Sequence, residues 1–132
     1  MAPKSKTPPL PLAITATMRF RASHSLRMYD GRPEPQHEHE WRVKLTVGCS
    51  ELDGIGVVMD FHDLERRLET ILGPLRGTSL NDFPAFARIN PSAENVAIYI
   101  SQALKLPETV TLEQVEVWET PDCSALWRGG VD

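Results

Sequence analysis

The sequence of 132 residues has few of the features that define disulfide-stabilised, membrane-spanning or nucleic-acid-binding proteins. Its two cysteines, Cys49 and Cys123, give no disulfide framework, and free thiols are typical of a reducing cytoplasm. No apolar run approaches the roughly 18 residues that cross a bilayer, and the N-terminus lacks the apolar core of a signal peptide. The net charge of −4 comes without a basic stripe. We therefore expect a cytoplasmic protein that binds neither a membrane nor nucleic acid.

What the sequence does contain is the composition of an ordinary soluble domain, with 41% hydrophobic and 24% charged residues. The length suits one domain whose core is large enough to fold but which oligomerisation would help. The first residues, "MAPKSKTPPLPL", are polar and rich in proline. They predict a flexible arm over residues 1–12, which leaves residues 13–130 as a single domain.

The hydrophobic periodicity predicts four strands and two helices. Alternation of apolar and polar residues marks the strands 14–24, 37–47, 111–120 and 123–128. Apolar residues recur at helical spacing after two N-cap residues, Asp60 and Ser92. The order strand, strand, helix, helix, strand, strand predicts an α+β fold with the helices on one face of an antiparallel sheet.

Three histidines are expected to meet at one end of this sheet. His37 and His39 share a strand face with Trp41, and His24 ends the apolar face of the preceding strand. An isolated H-x-H is more often a pair of histidines bonded to backbone, but the addition of His24 favours a metal site. Three imidazoles suit zinc and leave a fourth position for water or substrate, as in catalytic sites. His62, in the first turn of a helix, is expected to face solvent.

An acidic residue continues the apolar face of the third strand. Glu119 follows Val115 and Val117 at the spacing of one strand face. A carboxylate there is costly unless it meets a cation or N–H donors. Two interpretations stay open: the strand frays and Glu119 is solvated, or Glu119 anchors a planar ligand through a two-point hydrogen bond.

Several segments together resemble the 6-pyruvoyltetrahydropterin synthase and 6-carboxytetrahydropterin synthase family. The match runs in order from about residue 14 to 128. Its parts are "FRASH" ending at His24, "HEH" at 37–39, "GVVMDFHDLE" at 56–65, "LN" at 80–81, "NPSAENVA" at 90–97 and "ETPDCSALW" at 119–127.

The resemblance implies a tunnelling fold, in which a four-stranded antiparallel sheet carries two helices on one face and three subunits form a barrel. Two such trimers usually stack into a hexamer. The resemblance also implies zinc on His24, His37 and His39 and a pterin ring gripped by Glu119. The implied activity is a lyase reaction on 7,8-dihydroneopterin triphosphate, and in bacteria the carboxy-forming branch feeds queuosine synthesis.

The sequence departs from the family pattern where the family carries its proton-transfer groups. The family motif is C-x-x-x-H-G-H, and Pro33 stands where its cysteine, the general base, is expected. Glu38 replaces the glycine between the histidines. Arg76 and Gly77 align with the family's Asp-His pair, and neither can relay protons as that pair does.

Glu34 is the candidate replacement for the missing base. One branch of the family has glutamate three residues before its histidine pair and cleaves the side chain to give 6-hydroxymethyl-7,8-dihydropterin, and Glu34 stands at that spacing. A carboxylate near zinc can act as a general base if burial raises its pKa. A solvated loop glutamate between two prolines is the alternative.

Three functions therefore stay open from the sequence. The first is a zinc-dependent pterin lyase of the carboxy- or pyruvoyl-forming kind with non-standard proton-transfer residues. The second is side-chain cleavage with Glu34 as base, and the third is a pterin- or purine-binding protein without turnover. Arg76 is a candidate ligand for the substrate triphosphate, although solvent exposure is the commoner fate of a surface arginine.

Overall fold

The four predicted strands form one antiparallel sheet in a computed structural model of the chain, which describes residues 10–129. The sheet order is β1-β2-β3-β4. The elements are β1 (Leu12–His24), β2 (His37–Cys49), α1 (Phe61–Leu72), α2 (Ala93–Ala103), β3 (Thr111–Thr120) and β4 (Cys123–Arg128). Residues 1–9 of the predicted arm lie outside the described residues, and β1 begins two residues earlier than its predicted start. The α+β fold is confirmed.

The strand register explains how one end of the sheet differs from the rest. In the β1–β2 hairpin, His24 pairs with His37 and Ala22 pairs with His39. Pairing between β2 and β3 begins only at Arg42, so the first residues of β2 extend past β3. The β3–β4 pairing shifts between Trp118 and Thr120, which places Glu119 in a β-bulge. Bulges redirect side chains and are common beside functional sites.

Both helices begin at the predicted N-caps. The Asp60 carboxylate accepts a hydrogen bond from the His62 N–H at 2.8 Å, and the Ser92 hydroxyl oxygen accepts one from the Asn95 N–H at 3.1 Å. Each bond satisfies an amide that has no partner inside the helix. Three short 3-10 turns connect the helices: Gly73–Leu75, Leu80–Asp82 and Pro84–Phe86.

The two helices cover one face of the sheet and enclose the core. The fully buried apolar residues come from three strands, both helices and the connection between the helices: Ala22, Trp41, Val43, Leu45, Val47, Leu64, Leu68, Leu72, Leu75, Leu80, Phe86, Val96, Ile100, Val115 and Val117. The opposite face is polar, with ion pairs between β1 and β2 such as Arg19–Glu40 at 3.2 Å and Arg21–Glu38 at 3.1 Å. Among residues 10–129, no helix is long and apolar enough to cross a membrane.

Candidate metal centre

The β1–β2 hairpin brings the three histidines to one end of the sheet on the helix side. The ring centroids of His24 and His37 lie 4.5 Å apart, those of His37 and His39 4.7 Å, and those of His24 and His39 5.3 Å. Trp41 lies beneath them, with its ring centroid 4.9 Å from that of His24, and its indole N–H donates to the Ala22 carbonyl at 3.1 Å. The strand pairing therefore fixes where the three imidazoles meet.

Backbone carbonyls determine which nitrogen of two imidazoles carries the proton. His24 Nδ1 lies 2.7 Å from the Pro91 carbonyl oxygen, and His37 Nδ1 lies 3.1 Å from the Pro35 carbonyl oxygen. A carbonyl only accepts hydrogen bonds, so each Nδ1 must donate. In the neutral ring, Nε2 then keeps its lone pair. This is the arrangement in which metal-ligating histidines are usually held.

Two of the Nε2 atoms are buried without a hydrogen-bond partner in the described part of the chain. These are His24 Nε2 and His39 Nε2, and the His24 side chain has no solvent-exposed area. Leaving a buried polar atom without a partner costs roughly 1–3 kcal/mol. A metal ion bound to both lone pairs would remove that cost, so the residues fit a metal on this observation.

Glu119 is the fourth member of the group. Its Oε1 lies 2.9 Å from His24 Nε2 without the alignment of a hydrogen bond, and its side chain is 31% exposed. One ligand atom from each of Glu119, His24, His37 and His39 lies within 4.8 Å of all the others. The group is therefore able to hold a metal, with Glu119 on the side that solvent reaches.

The electrostatics of the group favour a neutral His39. Burial lowers the pKa of His39 below its ordinary value of 6.5, and the neighbouring His37 and His24 lower it further. The carboxylates of Glu119 and Glu34 act in the opposite direction with smaller net effect. A neutral imidazole is the form that binds a metal, so this shift favours ligation over protonation.

Glu34, the candidate base, lies beside the histidines. Its Oε1 lies 3.8 Å from His37 Nε2 and accepts a hydrogen bond from the Leu26 N–H at 3.1 Å. The Glu34 N–H donates to the Leu26 carbonyl at 2.9 Å, and the Glu34 carbonyl accepts from the Ser25 hydroxyl. Its side chain is 29% exposed. Glu34 is thus held by backbone contacts and is partly buried, unlike a freely solvated loop residue.

Arg76 lies away from this group. Its guanidinium contacts the Glu69 carboxylate at 2.9 Å and donates to the Arg19 carbonyl at 3.0 Å. Arg19 precedes His24 by five residues on β1, which corresponds to about 16 Å along an extended strand. Within one chain, Arg76 does not lie close to the histidines. Its predicted contact with the substrate triphosphate therefore stays a prediction.

The remaining histidine and both cysteines are outside the group. His62 is 88% exposed and pairs with Glu65 at 3.3 Å, as expected for a solvent-facing residue. Cys49 is buried and Cys123 is exposed, and both are free thiols. Neither cysteine is among the side chains that converge with the histidines in residues 10–129. Within residues 10–129 of one chain, no cysteine lies where it could replace the one expected at Pro33.

Comparison with known proteins assigns the chain to a family. The family model described as 6-pyruvoyl tetrahydropterin synthase matches residues 13–130. The chain belongs to this family. The human 6-pyruvoyl tetrahydrobiopterin synthase is 38% identical over 88% of this chain and 90% of its own length. The 6-carboxy-5,6,7,8-tetrahydropterin synthase of Synechocystis is 30% identical over 76% of this chain and 81% of its own.

Solved structures of 6-pyruvoyl tetrahydropterin synthases share the fold. The Caenorhabditis elegans enzyme has a TM-score of 0.75 and 22% identity and covers 91% of this chain and 97% of its own. A Plasmodium vivax enzyme has a TM-score of 0.70 and 19% identity over 91% of this chain and 99% of its own; in it, a glutamate described as a catalytic residue is changed to alanine. The tunnelling-fold subunit is confirmed.

Membership of the 6-pyruvoyl tetrahydropterin synthase family places this chain in a lyase family of pterin biosynthesis.

Sequence reasoning missed the residues that hold the histidines and the neighbouring segments in place. The Asn81 side chain exchanges two hydrogen bonds with the Ser25 backbone, at 2.7 and 2.8 Å, directly after His24. Asn90, Pro91 and Asn95 act on the same region. All four belong to the segments "LN" and "NPSAENVA" that supported the resemblance, and that match was the available signal.

Proposed function

We propose that the protein is a zinc-dependent lyase that acts on 7,8-dihydroneopterin triphosphate, with Glu34 as the group that transfers protons. The observation that carries this proposal is the position of the Glu34 carboxylate, 3.8 Å from His37 Nε2 at the edge of the histidine group. Family membership supports the reaction class and the pterin substrate. The retained histidines and Glu119 support a working site.

Three imidazoles would hold the zinc ion through Nε2: His24, His37 and His39. Nitrogen ligands of this kind suit zinc, and three protein ligands leave a position for substrate. A zinc ion held by these residues would supply Lewis-acid chemistry towards an oxygen of the substrate. The part-exposed side of the group, at His37 and Glu119, is where substrate would enter.

Glu119 is proposed to bind the pterin ring. A carboxylate can accept two parallel hydrogen bonds from the ring's adjacent N–H groups, which fixes the orientation of a planar ligand. Because Glu119 lies in a bulge beside His24, a ring held there would direct its side chain towards the histidines. Glu119 would thus position the substrate, and the histidines would hold the metal at the reacting side chain.

Glu34 is proposed to take the place of the family's cysteine as general base. The Leu26 N–H holds one carboxylate oxygen and orients the group, which leaves the other oxygen to accept and return a proton. Arg76 and Gly77 supply no second proton carrier. In this proposal Glu34 carries the proton transfers that other members divide between a cysteine and an Asp-His pair.

A second candidate function is side-chain cleavage that yields 6-hydroxymethyl-7,8-dihydropterin. The observation that favours it is the position of Glu34. It lies three residues before the first histidine of the pair, as in the family branch that performs this cleavage. In the Plasmodium vivax structure a glutamate is described as a catalytic residue, which supports a catalytic carboxylate within this fold. The two candidates share the same residues and differ in which bond of the side chain breaks.

Assembly into a trimeric barrel, and from two trimers into a hexamer, is also proposed. The sheet has two edge strands, β1 and β4, and open edges in proteins are usually covered. Pairing β1 of one subunit with β4 of the next would close three sheets into a barrel. Light scattering coupled to size-exclusion chromatography would give the subunit number.

Product identification tests the proposed function. The zinc-loaded protein is incubated with 7,8-dihydroneopterin triphosphate, and products are identified by mass. Formation of 6-carboxy- or 6-pyruvoyl-tetrahydropterin supports the synthase, and 6-hydroxymethyl-7,8-dihydropterin supports the cleavage reaction. Tight binding of the substrate without any product would overturn both and indicate a pterin-binding protein.

A further inference from the structure

The hydrogen bond that fixes the His24 tautomer depends on one backbone carbonyl. His24 Nδ1–H donates to the Pro91 oxygen at 2.7 Å, and both residues are buried. Proline has a fixed φ and no N–H, so Pro91 cannot be anchored by its own amide. The direction of its carbonyl is therefore determined by the residues on either side.

Asn90 anchors the chain on the N-terminal side of Pro91. Its side-chain oxygen accepts from the Arg27 N–H at 2.7 Å, and its side-chain nitrogen donates to the Arg27 carbonyl at 3.0 Å. Arg27 lies only three residues after His24. These two hydrogen bonds connect the segment that follows His24 to the segment that contains Pro91, whose carbonyl is the partner of His24.

Asn95 anchors the same segment from the helix. Its side-chain nitrogen donates to the Asn90 carbonyl at 2.9 Å, and its N–H donates to the Ser92 hydroxyl oxygen at 3.1 Å. Pro91 lies between the two residues that Asn95 contacts. The first turn of α2 therefore holds the peptide unit before Pro91 through the Asn90 carbonyl and the residue after it through the Ser92 side chain.

We infer that Asn95 and Asn90 are positioning residues that aim the Pro91 carbonyl at His24 and so present its Nε2 to the metal. The inference rests on the proposed function in that it takes His24 as a zinc ligand. Partners that orient a ligating histidine commonly change metal affinity by 10–100-fold when they are lost. Neither asparagine touches substrate or metal in this role, so both act through His24.

Two substitutions of Asn95 separate this role from a general loss of stability. Asn95→Asp keeps the shape of the side chain but removes the side-chain N–H donor. The negative charge that it adds in the first turn of a helix favours folding. Asn95→Ala removes the donor without adding a charge near the metal. Ser101→Ala, which removes a hydroxyl that donates to the Ile98 carbonyl in the same helix and does not contact Asn90 or Pro91, is the matched control.

The primary measurement is the tautomer of His24 in the metal-free protein, from the ring ¹⁵N chemical shifts. The unaltered protein and the Ser101→Ala variant are expected to show a single Nδ1–H tautomer. Both Asn95 variants are expected to show a mixture of tautomers and to bind zinc about tenfold more weakly in competition with a chelator.

Retention of the single tautomer, or of wild-type zinc affinity, in the folded Asn95 variants would overturn the inference. Circular dichroism checks that the variants are folded, and Asn90→Ala provides a second removal of the anchor if either of them is not. If the unaltered protein binds no zinc, the proposed function fails while the tautomer measurement still decides the inference.

Discussion

The three histidines proposed as metal ligands lie on two paired strands, whereas the residues at the family's proton-transfer positions lie in loops. His24 and His37 are opposite each other in a continuous β ladder, so their separation is fixed by backbone hydrogen bonds. Glu34, the proposed base, lies in the β1–β2 loop, and Arg76 and Gly77, which align with the family's Asp-His pair, lie in the connection after α1. The histidines of the family pattern are kept on the strands, where Glu38 replaces the glycine between two of them, and the proton-transfer residues of the pattern are changed in these loops. The geometry of the three histidines therefore does not depend on the acid–base groups in the loops around them.

The largest effect is expected from removing a ligand on the strand. His39→Ala should weaken zinc binding by more than about 100-fold, because loss of a direct ligand exceeds the loss of an orienting partner. Zinc content after dialysis, measured by atomic emission, checks this. His62→Ala, which alters an exposed histidine on α1, should retain zinc, and equal loss in both variants would contradict the site.

Removing the loop carboxylate should separate metal binding from turnover. Glu34→Gln is expected to lower the reaction rate by about 100-fold or more, because a general base commonly contributes 10²–10⁴-fold, while zinc stays bound. Single-turnover rates and zinc content are measured on the same sample. Glu38→Gln removes a neighbouring carboxylate on the opposite face of β2 and should leave both unchanged. A fully active Glu34→Gln enzyme would exclude Glu34 as the base.

Acid should lower the free energy of unfolding of the metal-free protein through His39. The pKa of His39 is lowered in the folded state, so the unfolded chain takes up the proton first as the pH falls. Stability from the neutral His39 is complete above about pH 6.5 and decreases as the pH falls from that value towards the folded-state pKa. Urea unfolding of the metal-free protein between pH 8 and pH 5 measures this. A His39→Gln variant should show a flatter profile.

Substitutions of the two N-cap residues test whether the first turn of α2 influences the metal centre, and their expected effects are smaller. Ser92→Ala and Asp60→Ala should each lower the free energy of unfolding by about 1 kcal/mol, since each removes one N-cap bond. Only Ser92 adjoins Pro91, so only Ser92→Ala should also weaken zinc binding. Equal zinc affinities in both variants would show that the first turn of α2 does not influence the centre.

The smallest effect on stability is expected at Arg76. Its pairing with Glu69 is partly exposed, and exposed pairs contribute roughly 0–1 kcal/mol. Arg76→Gln should therefore change the unfolding midpoint in urea only slightly and leave zinc affinity unchanged. A raised KM for the triphosphate substrate in this variant would support the predicted contact with the triphosphate, and an unchanged KM would exclude it.

Strand parity predicted most of what the fold shows, because side-chain direction alternates strictly along a strand. The face shared by His37, His39 and Trp41 and the outward direction of Glu38 both follow from that rule. N-cap chemistry likewise predicted the start of each helix. These features depend on residues close together in the sequence, which is why they could be read without a structure.

The contacts that complete the centre depend on distant segments and could not be predicted in the same way. The Pro91 carbonyl reaches His24 across 67 positions of sequence, and Asn81 reaches Ser25 across 56. The bulge at Glu119 arises from the pairing with β4 and leaves no clear pattern in the strand itself. The backbone contacts that hold Glu34 follow from how the loop folds back on Leu26.

X-ray absorption spectroscopy of the zinc-loaded protein tests the central claim most directly. The account predicts one zinc ion per chain with three imidazole nitrogens at about 2.0–2.1 Å and an oxygen from water or a carboxylate. The spectrum should lose one imidazole in any His39→Ala sample that still retains zinc. A sulfur neighbour at about 2.3 Å, or no stoichiometric zinc after loading, would contradict a centre built from His24, His37 and His39.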